Sequence, residues 1–255
     1  MNAKYPILEF DGAKDAIIEP SNVLKSVPGI PEHCVLPMYH TVIEQLRMRK
    51  LLTQVTNIDT SMGPMPVYRL IQEGTEVAVT HPGLCAPFAA AVLEELIAFG
   101  CRKFIACGSA GVLDNTLAKG TIVIPEAAVR DEGTSYHYVA PRREIKVDLQ
   151  VVAAIESVLQ SHGIRYQVGK TWTTDGIYRE TKCRIAKRKS EKCLTVEMEC
   201  SAFLAVARFR NVRFGQILAT GDDISGDEWD PRHTDDDRSF PERLFWLSVE
   251  ACLRL

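Results

Sequence analysis

Short apolar runs alternate with amphipathic stretches along most of this chain, and the alternation predicts strands and helices in turn. Residues 1–45 mix proline, charge and short apolar pieces (IIEPSNVLKSVPGIPEHCVLP), which predicts irregular structure ahead of a helix near Met38–Lys50. From Glu76 to Thr80 an apolar strand runs into His81–Pro82–Gly83. A helix follows from Pro87, which suits a first helical turn, to Gly100, a good C-terminal stop. Lys103–Cys107 reads as a strand entering Gly108–Ser109–Ala110–Gly111, and Gly120–Pro125 begins another that extends toward Arg130. Val147, Leu149, Val151, Val152, Ile155 and Leu159 carry a helix over 147–162.

The second half repeats the rhythm. Strand Tyr166–Thr174 meets a polar loop, Asp175–Glu180, and a charged helix covers about 181–192; strand 194–198, helix 199–210 and strand 213–220 follow. Strands alternating with helices predict a largely parallel or mixed sheet covered on both faces, with ligands collecting at the carboxyl ends of strands. Residues 225–238 (SGDEWDPRHTDDDR) read as an exposed, mobile loop, and Ser239–Phe240–Pro241–Glu242 fits a capping box opening the last helix. No repeat, low-complexity tract or interdomain linker interrupts the pattern, so the expectation is one α/β domain over 1–255, with 1–45 as a divergent N-terminal segment.

Composition narrows the partners. With 255 residues, 46% hydrophobic, the chain can bury one large core. Its net charge is −3 and its one basic tract, Lys187–Arg188–Lys189, reads as a solvated helix face, so no footprint for nucleic acid is present. No apolar run approaches the ~20 residues of a membrane helix, and the N-terminus lacks a signal-peptide pattern, so a cytoplasmic protein without a membrane partner is expected. Eight cysteines show no C-x-x-C and no histidine at ligand spacing. They read as reduced core thiols, with neither zinc nor a disulfide framework indicated.

The most informative stretch is Thr195–Val196–Glu197–Met198–Glu199–Cys200, an apolar run ending in two carboxylates. Carboxylates at i and i+2 on a strand project to one side, where acceptor-only oxygens hold vicinal hydroxyls such as those of ribose. The competing reading makes Glu199 a helix-start acid favoured by the dipole and Glu197 a surface residue. Asp222–Asp223 ends a later apolar run; consecutive positions point opposite ways, so only one enters a pocket, and a plain Asp turn is the alternative. Gly108–Ser109–Ala110–Gly111 presents backbone N–H groups and a hydroxyl to an anion or forms a tight turn; it is neither a Walker loop nor G-x-G-x-x-G. In loop 175–180, Ile177 and Tyr178 suit stacking on a planar base and Arg179 and Glu180 suit its polar edge, with local packing as the alternative. For His137, a structural hydrogen bond and catalysis both stay open.

Taken in order, G-S-A-G-V-L, R-D-E-G-T-S-Y-H-Y, T-T-D-G-I-Y, V-E-M-E-C-S-A and A-T-G-D-D-I resemble the nucleoside phosphorylase family, which includes uridine phosphorylase, hexameric purine nucleoside phosphorylases and methylthioadenosine nucleosidase. The resemblance covers roughly residues 65–255. It implies an α/β domain with a central mixed, partly barrel-like sheet flanked by helices. It also implies a nucleoside and inorganic phosphate as substrates, no organic cofactor or metal, and a homo-oligomer, dimer or hexamer. By that likeness Met198 and Glu199 contact the ribose, with Glu199 on its hydroxyls and Glu197 supporting them. Gly108 and Ser109 lie beside phosphate or attacking water. Ile177, Tyr178 and Arg179 face the base, and Asp222 is the acid that protonates a departing purine.

Two departures accompany the likeness. Phosphorolytic relatives place an arginine two residues before the G-[ST]-x-G segment, where this chain has Ala106, and their N-terminal G-D-P-x-R loop is absent, the region reading FDGAKDAIIEPSN. Arg69, Arg130, Arg142 and Arg143 are the candidates to compensate. Hydrolytic relatives carry a similar G-S-A-G without that arginine, but the glutamate that activates their water has no clear match. Asp222 favours a purine, while TTDGIYRET and EMEC look closer to uridine phosphorylases. A phosphorylase is therefore expected first, with a nucleoside hydrolase and a non-catalytic nucleoside-binding protein as the alternatives.

Overall fold

One strand, Lys103–Val112, organises the sheet, because it changes partners halfway along its length. The computed structural model describes residues 4–72, 74–232 and 239–255. In chain order these form α1 (Pro20–Val23), β1 (His33–Pro37), α2 (His40–Met48), β2 (Leu52–Thr60), β3 (Gly63–Gln72), β4 (Thr75–Val79), α3 (Ala86–Phe99) and β5 (Lys103–Val112). There follow β6 (Ile122–Asp131), β7 (Glu144–Lys146), α4 (Leu149–Ser161), β8 (Tyr166–Thr174), α5 (Lys182–Ser190), β9 (Cys193–Glu197), α6 (Cys200–Arg210), β10 (Arg213–Asp223) and α7 (Phe240–Leu253). Short 3-10 turns cover Pro6–Leu8, Thr134–His137 and Ile177–Arg179.

Along its first half β5 lies between β1 and β10, both parallel to it; at its end it pairs antiparallel with β9, Gly111 opposite Val196 and Val112 opposite Thr195. Since β10 also pairs β6, β6 pairs β8 and β8 pairs β9, the five strands β5, β10, β6, β8 and β9 close into a mixed ring. The remaining strands continue outward from β5 as β1–β4–β3–β2. Closure leaves the ring without a free edge. This is a single α/β domain with a barrel-like sheet flanked by helices.

The shared strands are apolar on both faces because helices cover both. Val35 and Leu36 of β1, Phe104 to Cys107 of β5 and Ile217 and Leu218 of β10 are buried, as continuous runs in a parallel sheet should be. Asn211 takes the left-handed conformation that ends α6 (φ 55°), a role its short polar side chain tolerates.

Several expectations change. The segment before residue 45 contains β1, whose Cys34–Val35–Leu36 core was hidden between prolines. The hairpin of β2 and β3 and the short β7 are strands that alternation alone did not reveal. Gly108–Gly111 is no turn: β5 continues through it, and neither glycine has a positive φ. The capping box does not form, since Glu242 turns instead to Arg49 (2.5 Å) and the Trp246 indole (3.0 Å). The described part of the 225–238 loop is folded back by a bridge between Asp223 and Asp230; residues 233–238 lie outside the described ones.

Candidate functional site

The exchange of partners along β5 opens the site. β1 stays beside β5 as far as Cys107 and β9 joins at Gly111, so among the described strands none lines that side of Gly108, Ser109 and Ala110. On the other side β10 runs past without a break, Ala219 beside Ser109 and Thr220 beside Ala110. Such a gap at the carboxyl end of parallel strands is where open α/β sheets place ligands. Ser109 is exposed in it, and its side chain is hydrogen-bonded to the Tyr39 hydroxyl, whose pKa burial pushes up to about 12. Gly108 is glycine for space: a Cβ there would sit 2.6 Å from Met38 Cγ. His81 closes the same end. Its Nδ1 accepts from the Gly83 N–H (3.0 Å), so Nε2 carries the proton to the Met38 carbonyl (3.1 Å), and burial lowers its pKa and keeps the ring neutral.

Across the gap, β9 ends at Glu197 and α6 begins one turn later. Continuing the β5–β9 register brings Glu197 level with Ala110 and Met198 level with Ser109. The two glutamates are both buried, 7% and 4% exposed, and have different employments. The Glu197 carboxylate accepts from the Thr173 hydroxyl (2.6 Å) and from the backbone N–H groups of Glu199 (2.8 Å) and Cys200 (2.6 Å). It thereby satisfies the first orphan donors of α6. Glu199 points away from its own helix and accepts from the Cys85 N–H (2.7 Å) at the start of α3. The helix-start role therefore belongs to Glu197, not Glu199, and Glu197 is not a surface residue. Burial and the Glu199 charge push Glu197 up to about 8, and burial raises Glu199 as well. Cys85 itself is held at φ 67°, a strained conformation for a non-glycine residue.

A second hydrogen-bonded chain ties this helix start to the ring. Ser201 donates to Glu132 (2.8 Å), Glu132 accepts from the Ser135 N–H (2.8 Å), and Ser135 accepts from Arg130 Nε (2.8 Å). Asp175 at the end of β8 accepts from the Gly133 N–H (2.8 Å), and burial raises its pKa. His137 lies elsewhere, beside Tyr138, Phe209 and Arg210 in a cavity of about 440 Å³ under residues 13–24.

Asp222 completes the third side. A Cβ on Gly111 would lie 3.8 Å from Asp222 Oδ1 and 2.9 Å from Val196, so the aspartate sits over the β5–β9 seam. Its Oδ2 accepts from the Trp229 indole (2.8 Å). Asp223 points the other way, to Arg232 (2.6 Å) and the Ser225 N–H (2.7 Å), as the alternation of adjacent positions requires. Glu180 joins Asp222: burial first and the Asp222 charge second push its pKa up to about 7. The turn before it carries Ile177 (54% exposed) and Tyr178 (93%), and Arg179 is exposed too. All three side chains are exposed on the turn that leads into Glu180. The turn is held by α5, whose Arg184 donates to the Arg179 carbonyl (3.4 Å) and with Arg188 reaches Asp131 of β6 (2.6 and 3.1 Å).

Gly108, Ser109, Glu197, Met198, Glu199 and Asp222 thus lie along the β5–β9 seam, with the 177–180 turn joined to it through Glu180 and Asp222, while His137 and Asp223 turn elsewhere and Arg69, Arg130 and Arg143 have other partners. Ala106 is fully buried. Arg69 bonds the Gly29 carbonyl, Arg130 is spent on Ser135 and the carbonyls of Val139 and Ala140, and Arg143 pairs with Glu191. Tyr39, His81, Cys85, Thr173, Asp175 and Trp229 belong to the site but carry no motif that would single them out.

A closed mixed ring with acids gathered where its central strand changes partners defines a class of α/β proteins, and comparison places the chain within it. Residues 41–245 match the sequence model of the phosphorylase superfamily, and the chain belongs to that superfamily. A uridine phosphorylase of Thermococcus kodakarensis is 39% identical over 106 residues, 42% of this chain; the chain covers 38% of that relative's length. A guanosine phosphorylase of Halorubrum lacusprofundi is 26% identical over 72% of this chain and 75% of its own length. Among solved structures, uridine phosphorylase from Vibrio fischeri superposes with a TM-score of 0.75 at 19% identity, over 91% of this chain and 98% of that one. AMP nucleosidase from Bacteroides thetaiotaomicron superposes with a TM-score of 0.71 at 21% identity, over 88% of each. The last two likenesses concern the fold. Among the described residues, no helix is long and apolar enough to cross a membrane.

Proposed function

We propose that this protein is a nucleoside phosphorylase of the uridine phosphorylase type, transferring the ribosyl group of a nucleoside to inorganic phosphate and releasing the free base. The observation that carries the reading is the buried pair of Glu197 and Glu199, one fixed by backbone donors and the other bonded to the Cys85 N–H beside the gap where β5 exchanges β1 for β9. Cleavage of an N-glycosidic bond passes through an oxocarbenium-like sugar, so a carboxylate at the ribose stabilises the transition state more than the ground state. In this reading Glu199 and Met198 hold the ribose and Glu197 holds Glu199 in place. Gly108 and Ser109 face the incoming anion, and Ile177, Tyr178 and Arg179 flank the base. Asp222 protonates the base as it leaves. The chemistry needs no cofactor or metal. The exposed apolar side chains of Tyr5, Ile7, Leu8, Ile17, Ile18 and Val23 support a homo-oligomer, dimer or hexamer, as part of the same reading.

A second reading, water in place of phosphate, draws support from the cation supply. Ala106 stands buried where phosphorolytic relatives carry arginine, and Arg69, Arg130 and Arg143 are engaged elsewhere. The deciding experiment follows base release from uridine, inosine, guanosine and adenosine with and without inorganic phosphate, and resolves ribose 1-phosphate from free ribose. Release that requires phosphate and yields ribose 1-phosphate supports the first reading. Phosphate-independent release to ribose supports the second, and binding without release would leave a nucleoside-binding protein.

A further inference from the structure

The segment after Asp223 returns over the site. Asp223 and Asp230 exchange backbone hydrogen bonds (2.8 and 2.9 Å), and Arg232 ties the far end to Asp223 (2.6 Å) and to the Leu117 carbonyl (2.7 Å). Lys189 reaches the Ser225 carbonyl (3.0 Å) and Lys182 reaches Asp227 (2.9 Å), which sets the loop against α5, next to the 177–180 turn. The Lys182–Asp227 pair is largely exposed, 72% and 93%, and contributes little; the Asp223–Arg232 pair, with both side chains 13% exposed, is the effective clasp.

That clasp delivers Trp229. Its indole N–H bonds Asp222 Oδ2 at 2.8 Å, yet the side chain is 65% exposed. A tryptophan whose polar edge is fixed by a half-buried acid and whose ring is left open is costly to leave in water and offers a large flat surface. The other two tryptophans are used in packing: Trp172 is fully buried with its indole on Asp131, and Trp246 bonds Glu242.

Resting on the nucleoside reading above, we infer that Trp229 is the base platform of this site: its N–H orients the Asp222 carboxylate, and its open face stacks on the heteroaromatic base. The base then lies between Trp229 and the Ile177–Tyr178 turn, with Asp222 and Glu180 at its edge. Trp229 is a positioning and specificity residue and takes no proton.

Intrinsic fluorescence of the full chain, titrated with inosine and with uridine, tests this, alongside calorimetric affinities for the same ligands. Saturable quenching is expected in the native protein and should vanish in Trp229→Phe, in which Trp172 and Trp246 remain. Trp229→Phe keeps a stacking ring and should retain affinity while losing turnover, because the donor to Asp222 is gone. Trp229→Ala should bind about 10-fold more weakly, as removal of a base-stacking aromatic does. Quenching that persists in Trp229→Phe, or equal affinity in Trp229→Ala, overturns the platform and leaves the nucleoside reading standing. Native protein that binds neither ligand by calorimetry overturns both.

Discussion

Glu197 accepts the backbone N–H of Glu199 at 2.8 Å, so one acid of the pair fixes the peptide that presents the other. The two are two positions apart, yet they bond to different parts of the molecule: Glu197 to Thr173 of β8 and the start of α6, Glu199 to Cys85 at the start of α3. Their substitution should therefore separate activity from stability.

Glu199→Ala is expected to lower turnover by about 10²–10³, the usual loss when one transition-state stabiliser is removed, with little change in the far-UV spectrum. Steady-state kinetics beside circular dichroism checks this. Native-like turnover in a folded variant would remove Glu199 from the mechanism.

Glu197→Ala leaves the Thr173 hydroxyl and the N–H groups of Glu199 and Cys200 without their acceptor in a buried place. A loss of about 3 kcal/mol in urea unfolding is expected, since buried donors left unpaired cost on the order of 1–3 kcal/mol each and do not add fully. The pH dependence follows from the same residue. Its folded pKa, about 8, lies above its ordinary value of 4.5, so between those values the folded state holds the extra proton. Stability then falls as pH rises through that window. Glu199, raised in the same direction, adds to the slope, whereas the lowered acids Glu191 and Asp223 lose their contribution only on the acid side of it. Melting temperature should decline across the window, and Glu197→Gln should flatten the decline.

Glu180 faces Asp222 and Arg184, and its pKa of about 7 places its titration near neutrality. The kcat/KM profile of the native protein is expected to bend there, and Glu180→Gln should abolish that bend and remove this group's share of the fall in stability between pH 4.5 and 7. A bend that survives the substitution assigns it to another group.

Gly83→Ala should be strongly destabilising, because φ is +81° and the new Cβ would lie 2.1 Å from the Phe88 ring. About 2 kcal/mol or more is expected. Gly163, at φ +64° with open space around it, isolates the backbone effect. Its alanine variant should lose about 1 kcal/mol. Comparable urea midpoints for the two would mean that the loop yields around Phe88.

The fold was legible wherever one element carried its own periodicity. Strand Tyr166–Thr174 appears at the expected bounds, and α3, α4 and α6 differ by a residue or two at their ends. β1 and β3 escaped because prolines 31, 37, 64 and 66 interrupt or bound them, and a Pro-containing run reads as loop unless a neighbouring strand is known; β2 escaped because its mostly polar run buries only Leu52 and Ile58. G-S-A-G admits a tight turn for a related reason: glycine signals a bend locally, whereas Gly108 and Gly111 make room for Met38 and Val196.

The amino-acid sequence by itself determined the α/β alternation and marked Glu197, Glu199 and Asp222 as candidate site acids, because each is a matter of residue type and short-range spacing, whereas the arginine missing at position 106 showed only through the family resemblance. Only the tertiary structure decided which glutamate holds the helix, that Glu180 rather than Asp223 accompanies Asp222, and that Trp229 lies over the acid. Those depend on where β5 exchanges β1 for β9 and on how the 224–232 segment folds back, and such contacts join residues far apart in the chain, which no local pattern encodes.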